Sequence, residues 1–384
     1  MTNSDKALLL HEQWQGKIST EAKCSVKTRE DLALAYTPGV AEPCKVIAED
    51  RDAAYKYTLK SNTVAVVSDG SAVLGLGNIG PYAAMPVMEG KAVLFKEFGG
   101  VNAFPICLDT QDTEEIIKTV VRIAPAFGGI NLEDISAPRC FEIEERLKER
   151  LTIPVFHDDQ HGTAIVVLAG VINALLVTGR KKETSRVVIN GAGSAGIAIA
   201  KLLLSYGFKN LTLCDRVGIL SENTPDLNWM QKQLTAVTNL DKKEGSLSDA
   251  LKGADIFIGV SAPGIVSKEM VASMNKDAIL FAMANPVPEI MPDLAKEAGA
   301  KVIGTGRSDF PNQVNNVIAF PGIFKGALES RASQITEEMK LAAAVAIAGL
   351  VAENELNEDN ILPQPFDPRV CEAVSNAVKS HVMK

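Results

Sequence analysis

The stretch Val187-Val188-Ile189-Asn190-Gly191-Ala192-Gly193-Ser194-Ala195-Gly196 joins an apolar, strand-like run to a G-x-G-x-x-G turn. A helical pattern, Ile197 to Tyr206, follows at once. In that context Gly191 permits a tight turn, Gly193 lets a pyrophosphate approach the backbone, and Gly196 allows close helix packing. Unbonded N–H groups at the helix start then face the phosphates. The plain alternative is a glycine-rich turn in a cofactor-free α/β domain. Asp215 ends the next strand-like run, Leu211 to Cys214, where an acid binds a ribose 2′-hydroxyl. That favours NAD, while Arg216 beside it can pair with a 2′-phosphate and keeps NADP open.

Working outward, strand candidates at Arg186 to Ile189, Leu211 to Cys214, Asp255 to Gly259, Ala278 to Ala282 and Lys301 to Ile303 alternate with helical segments. This alternation predicts a parallel, doubly wound sheet. Before about residue 160 the chain mixes helical segments with short strands such as Thr63 to Val67, followed by the turn Gly75-Leu76-Gly77-Asn78-Ile79-Gly80. The expected fold class is α/β with two domains. Residues 1–160 form an N-terminal α/β substrate domain and residues 161–330 a Rossmann-type dinucleotide domain. Residues 331–384 supply helices, starting near Thr336 and Pro368, that pack on the domains. Two more turns, Gly259 to Gly264 and Met283-Ala284-Asn285-Pro286, follow strands, and ligands of open α/β sheets sit at the carboxyl ends of strands. Asn285 is therefore a candidate contact for the nicotinamide ribose or the substrate. Asn315-Asn316 reads the same way, each against the plain role of a turn residue.

The 384 residues argue for about two domains. A net charge of -8 argues against a nucleic-acid footprint, which is basic. The six cysteines form no C-x-x-C pair, and reduced thiols in a cytoplasmic protein are expected. Met1 to Gly16 lacks the apolar core and cleavage site of a signal peptide. Thr163 to Gly179 carries no charge and approaches membrane length, yet it includes Gly170 and Asn173 and lacks an aromatic belt. A buried helix at a domain junction is the expectation, with no membrane partner.

The segment Phe156-His157-Asp158-Asp159-Gln160-His161-Gly162-Thr163 puts adjacent carboxylates at a strand end and helix start. A second acidic pair, Glu133-Asp134, ends Gly129-Ile130-Asn131-Leu132. Glu133, Asp134 and Asp159 are candidate ligands of a hard divalent cation, and all-oxygen ligation with room for substrate points to Mg²⁺ or Mn²⁺. Singly, each acid also reads as a turn residue or a helix cap. Beside a nicotinamide site, such a cluster suits an oxidation whose product needs a Lewis acid. His157 and His161 invite a zinc reading, but their spacing spans a strand-to-helix turn rather than one helix face. Lys91, among apolar neighbours in Met88-Glu89-Gly90-Lys91-Ala92-Val93, is a candidate base whose pKa burial and a cation are expected to depress. Its plain alternative is a snorkelling surface lysine. Tyr36, just before a turn in Ala35-Tyr36-Thr37-Pro38-Gly39-Val40, is a candidate proton donor or a packed aromatic.

Over nearly its whole length the sequence resembles the malic enzymes, specifically the short bacterial type. The resemblance rests on Tyr36 to Val40, Ser68-Asp69-Gly70 with Leu74 to Gly77, Glu89-Gly90-Lys91, Leu132-Glu133-Asp134, Asp158 to Thr163, the glycine fingerprint, Asn285-Pro286 and Asn315-Asn316. It implies oxidative decarboxylation of (S)-malate to pyruvate and CO2 by a homodimer that reduces NAD(P). It also implies decarboxylation of oxaloacetate. Carried over by position, Tyr36 is the proton donor, Lys91 the base and Asp158 its electrostatic support. Glu133, Asp134 and Asp159 hold the metal, Ala192, Gly193, Ser194 and Ala195 lie under the cofactor phosphates, and Asn285 and Asn315 contact substrate or cofactor. One departure stands out: the larger eukaryotic enzymes place an arginine for a substrate carboxylate where this chain has Ala72. Their terminal extensions, and the phosphotransacetylase-like domain of some bacterial relatives, are expected to be absent. Two alternatives stay open: a malolactic or oxaloacetate-decarboxylating activity on the same scaffold, and a dinucleotide-sensing protein with a degenerate site.

Overall fold

The run Thr63-Val64-Ala65-Val66-Val67 forms strand β1 (Thr63–Ser68), which is buried along its whole length. Strands buried on both faces read as continuous apolar runs, and such strands belong to parallel sheets. In the computed structural model, which describes residues 2–382, β1 pairs in parallel with β2 (Asn102–Cys107) and β3 (Gly129–Leu132). Strand β4 (Val155–His157) adds to β3, giving the order β2-β1-β3-β4.

The second sheet comprises β5 (Arg186–Asn190), β6 (Asn210–Asp215), β7 (Gly218–Ile219), β8 (Ile256–Gly259), β9 (Ala278–Ala282) and β10 (Ala300–Thr305). Its order is β10-β9-β8-β5-β6-β7, parallel except for β7. Successive strands run outward from β5 in both directions, so the sheet is doubly wound with its switch point between β5 and β8. The expected strands fall on β5, β6, β8, β9 and β10, with β9 matching end to end and the others differing at one or both ends by one or two residues. Strands β2 and β7 are additions to the sequence reading.

The helix Asp158–Thr178 starts at the end of β4 and runs between the two halves of the molecule. It is long and apolar enough to cross a membrane, with mean hydropathy 1.9, but 67% of that stretch is buried inside the protein. Its polar residue Asn173 explains the assignment: the side-chain amide donates to the Ala348 and Ile361 carbonyls at 2.9 Å each. Asn173 thus ties the C-terminal segment to the junction helix. The chain also returns to the first sheet late, when Phe324 of helix Phe320–Glu329 packs edge-on against Phe95 and Phe156. Thr336 caps the helix Glu337–Ala348, accepting from the Met339 N–H, and the last helix is Arg369–Ser380.

Candidate active site

Parallel pairing of β3 with β4 sets Leu132 opposite His157. The residues that come next are Glu133-Asp134 on one strand and Asp158-Asp159 on the other. One register therefore delivers both acidic pairs to the same sheet edge. Oxygen atoms of Glu133, Asp134 and Asp159 lie within 4.8 Å of one another. Asp134 has a left-handed backbone, φ 54°, and its N–H donates to Asp159 Oδ2 at 2.8 Å.

Lys91 reaches this edge from the helix Gly80–Gly99. That helix buries the stripe Ala84, Met88, Ala92 and Phe95, and Lys91 falls on it by helical spacing. At 7% exposure Lys91 is not a snorkelling surface residue. Its Nζ lies 2.6 Å from Asp158 Oδ2 and 2.8 Å from Glu133 Oε1. It also stands 4.3 Å above the Phe320 ring, a cation–π contact. Asn316 donates to Asp158 Oδ2 at 2.7 Å, and Asn131 donates to Glu133 Oε2 at 2.8 Å.

The charges at this edge are unbalanced. Burial first, then the neighbouring carboxylates of Asp159 and Glu133, push Asp134 up to about 9. Burial raises Asp158 to about 7 and Asp159 to about 6, against the opposing pull of Lys91. Burial also pulls the Lys91 ammonium down, but Asp158, Glu133 and Asp159 together hold it above its ordinary value. The expected depression of Lys91 is corrected here: surrounded by uncompensated carboxylates, the ammonium is favoured. Asp134 Oδ2 is buried without a hydrogen-bond partner. Three converging hard-oxygen donors, with one oxygen left unpaired, fit a divalent cation such as Mg²⁺ or Mn²⁺.

His157 and His161 do not share an ion. His161 Nε2 donates to Glu144, 2.9 Å from each carboxylate oxygen, and its Nδ1 accepts from Lys340 at 3.1 Å. His157 is fully buried, with Nδ1 3.7 Å from Asp159 Oδ2.

The acidic edge opens into a cavity of about 680 Å³ between the two sheets. Asp134 and Asp159 line one side, and Gly193 and Ser194 of the glycine turn line the other. Gly191 takes φ 110°, and a Cβ there would lie 2.6 Å from the Val260 carbonyl oxygen, so the turn needs glycine. Ala195 and Gly196 open the helix Ser194–Tyr206, whose first N–H groups face the cavity end. Gln231 braces the turn by donating to the Ala192 carbonyl at 3.0 Å. Asn285 and Asn315 both line the cavity, as does Ala72. Asp215 lies outside this lining, at the carboxyl end of β6, where it accepts from the Arg216 N–H at 2.7 Å. Tyr36 is not brought here: the residue is 67% exposed on the N-terminal segment.

Residues 15–148 match the N-terminal domain of malic enzyme, and residues 160–384 match its NAD binding domain. The chain belongs to the malic enzyme family. It is 59% identical to the bifunctional malic/malolactic enzyme of Bacillus subtilis (strain 168), covering 100% of this chain and 94% of that one. It is 62% identical to the NAD-dependent malic enzyme of Geobacillus stearothermophilus, covering 98% and 78%. The crystal structure of malic enzyme from Pyrococcus horikoshii superposes with a TM-score of 0.95 at 50% identity, covering 99% of this chain and 90% of that one.

Within this malic enzyme fold, several residues escape a sequence reading. Glu289 is fully buried and accepts from the Ser261 and Ala284 N–H groups at 3.0 Å each, joining the two turns beyond β8 and β9. Arg139 donates to Asp69 Oδ2 at 2.8 Å and to Ser71 Oγ at 2.9 Å, bracing the turn that leads to Ala72. Its guanidinium is committed there and is not among the groups lining the malic enzyme cavity. In the sequence Asn316 is only half of an Asn-Asn pair, and no local signal links it to Asp158.

Proposed function

We propose that this cavity oxidatively decarboxylates (S)-malate to pyruvate and CO2 while reducing NAD(P), with oxaloacetate decarboxylation as a partial reaction. The observation that carries the reading is the Lys91 ammonium lodged between Asp158 and Glu133 at 2.6 and 2.8 Å, beside a carboxylate cluster facing the glycine turn. Glu133, Asp134 and Asp159 would hold Mg²⁺ or Mn²⁺, and the turn from Gly191 to Gly196 would hold the dinucleotide phosphates. Once bound, the nicotinamide supplies a hydride acceptor and the cation a Lewis acid for the C2 oxygen.

The protein's own groups do the rest. With the carboxylates compensated, burial dominates at Lys91, and the amine accepts the C2 hydroxyl proton. Asp158 and Asn316 fix Lys91 in position. Asn285 and Asn315, on the facing wall, orient the substrate and the nicotinamide ribose. Residues 1–160 serve as the substrate domain and residues 161–330 as the nucleotide domain. Asp215 favours NAD over NADP by placing a negative charge where a 2′-phosphate would sit.

Tyr36 protonates C3, and it acts across a homodimer interface. The helices Arg29–Ala35, Ala41–Glu49 and Ala54–Tyr57 bury no residue, while Leu34, Tyr36, Leu74 and Tyr82 are exposed. An unpartnered apolar surface of this kind marks an association site. The helix Glu337–Ala348, by contrast, buries Ala343, Ala344 and Ile347 within its own chain. The six free cysteines accord with a reducing cytoplasm.

A second reading, net conversion of malate to lactate, draws on the bifunctional name of the Bacillus subtilis relative. It requires the reduced cofactor to stay bound and reduce pyruvate. Product analysis separates the two: pyruvate with equimolar free NAD(P)H supports the first reading, and lactate without free NAD(P)H supports the second.

A further inference from the structure

A second cavity, of about 240 Å³, lies at the domain junction behind the metal-ligand edge. Its walls come from the helix Arg139–Arg150, the junction helix Asp158–Thr178, the helix Ser194–Tyr206, the helix Trp229–Thr235 and the helix Glu337–Ala348. Nothing in the malate chemistry uses it. Its inner polar groups are unevenly matched. Glu144 is saturated: it accepts from His161, from the His157 N–H at 3.2 Å, and pairs with Lys148 at 2.8 Å. Lys340, 4% exposed, donates to Glu337 at 2.5 Å and to His161, which leaves one of its three N–H bonds over.

Two further donors on these walls have no acceptor among the described residues. Gln160, 4% exposed, has an amide nitrogen without a hydrogen-bond partner. Lys201 forms neither an ion pair nor a hydrogen bond; burial pulls its pKa down, and Glu337, Glu145 and Glu144 oppose this only through space. The buried, unpaired Gln160 donor is costly, and an anion that takes it up recovers that cost, while the half-buried Lys201 adds an uncommitted positive charge. Phe141 and Trp229, in edge-to-face contact at 6.2 Å, and Met230 give the rest of the lining an apolar character suited to a short carbon skeleton. Glu145 stands exposed, where water screens it, and the half-exposed Glu337 is compensated by its ion pair with Lys340.

We propose that this cavity is an effector site for a small anion whose carboxylate or phosphate group engages Lys201, Gln160 and Lys340. Its walls are the reverse faces of active-site elements, which gives the occupant a route to the chemistry. Gln160 and His161 share a helical turn with Asp158 and Asp159. Lys201 sits on the helix that Ser194 and Gly196 open, and the helix of Trp229 carries Gln231, which braces Ala192. An anion bridging these helices bears on the packing behind both the acidic edge and the glycine turn, and so changes the KM for malate.

The test uses the full chain, with succinate and inorganic phosphate as separate probes against chloride-matched controls. Binding is read by calorimetry without turnover, so its outcome is independent of whether the malate reaction is correctly assigned. The expected result is saturable binding of at least one probe, weakened about tenfold or more in Lys201→Ala and restored in Lys201→Arg. Any succinate bound at the active site is indifferent to Lys201. The same probe shifts the KM for malate in the wild type and not in Lys201→Ala, whose kcat and KM without the probe match the wild type. Succinate alone identifies an organic acid, and phosphate alone a free phosphate group. Absence of saturable binding, equal binding in Lys201→Ala, or binding that leaves KM unmoved would overturn the proposal.

Discussion

The Asp158 carboxylate grips the Lys91 ammonium at 2.6 Å although the two residues are 67 positions apart in the chain. The same oxygen receives a hydrogen bond from Asn316 at 2.7 Å, so one atom joins the first sheet, the Lys91 helix and the late-returning segment. Asp158→Asn keeps the shape and removes the charge. It should lower kcat by about a hundredfold or more, because Lys91 loses the partner that aims it. The KM for NAD(P) should stay near the wild-type value. Steady-state kinetics with each substrate varied in turn checks both halves.

Gly162 makes room for that carboxylate. A Cβ at this position would run into Asp158 Oδ1 and lie 3.2 Å from the Asn316 Cβ. Gly162→Ala should therefore displace Asp158, cutting kcat by about tenfold or more while costing only about 1–3 kcal/mol of stability. Thermal melting run beside the assay distinguishes this from simple unfolding. An active Gly162→Ala enzyme would mean that the Asp158 position matters less than its charge.

The acidic edge fixes the sign of the pH dependence. Folding raises Asp159 to about 6, Asp158 to about 7 and Asp134 to about 9, from an ordinary 3.8. Between the unfolded and folded values the native state holds protons that the unfolded state has released. The metal-free protein should thus lose stability as pH rises through this window. Lys91, raised above 10.5, keeps its pairing fully across the same range and does not alter the sign. A divalent cation binds the deprotonated carboxylates, so the melting temperature gained from Mg²⁺ over chelator should grow from about pH 5.5 to about pH 8.5. A gain that shrinks with pH would contradict the ligand assignment.

Tyr36 offers a test of the interface. Tyr36→Phe should block protonation at C3 and so suppress decarboxylation of added oxaloacetate. A block confined to hydride transfer would contradict its role. If Tyr36 serves the site of a second copy, Tyr36→Phe and Lys91→Ala chains should each be inactive alone. Unfolded together and refolded as mixed dimers, they should regain activity, because one site then holds an intact pair. Failure of the mixture to recover, with dimers verified by sedimentation, would place Tyr36 and Lys91 in the same chain's site.

Much of this was legible in the sequence, and the reasons are local. Apolar runs of four to six residues bounded by glycine or acid gave β5, β6, β8 and β9, because strands in parallel sheets are buried on both faces. The convergence of the acids was legible because Glu133-Asp134 and Asp158-Asp159 each end such a run, and neighbouring parallel strands end at one edge. What stayed hidden depends on tertiary return. Asn316 reaches Asp158 only because the chain comes back to the first sheet near its end. Glu289 looks like any turn carboxylate until two backbone N–H groups converge on it. The Lys91 shift went the other way from expectation because its three carboxylate neighbours are set by packing, not by adjacency in sequence.

The most direct measurement follows nicotinamide reduction by (S)-malate with Mn²⁺, NAD and NADP compared, with and without chelator, beside Lys91→Ala. The account predicts reduction that needs the metal, is matched by pyruvate, is faster with NAD, and is lost in Lys91→Ala. Reduction that persists in chelator or in Lys91→Ala, or no reduction with either nucleotide, would contradict it.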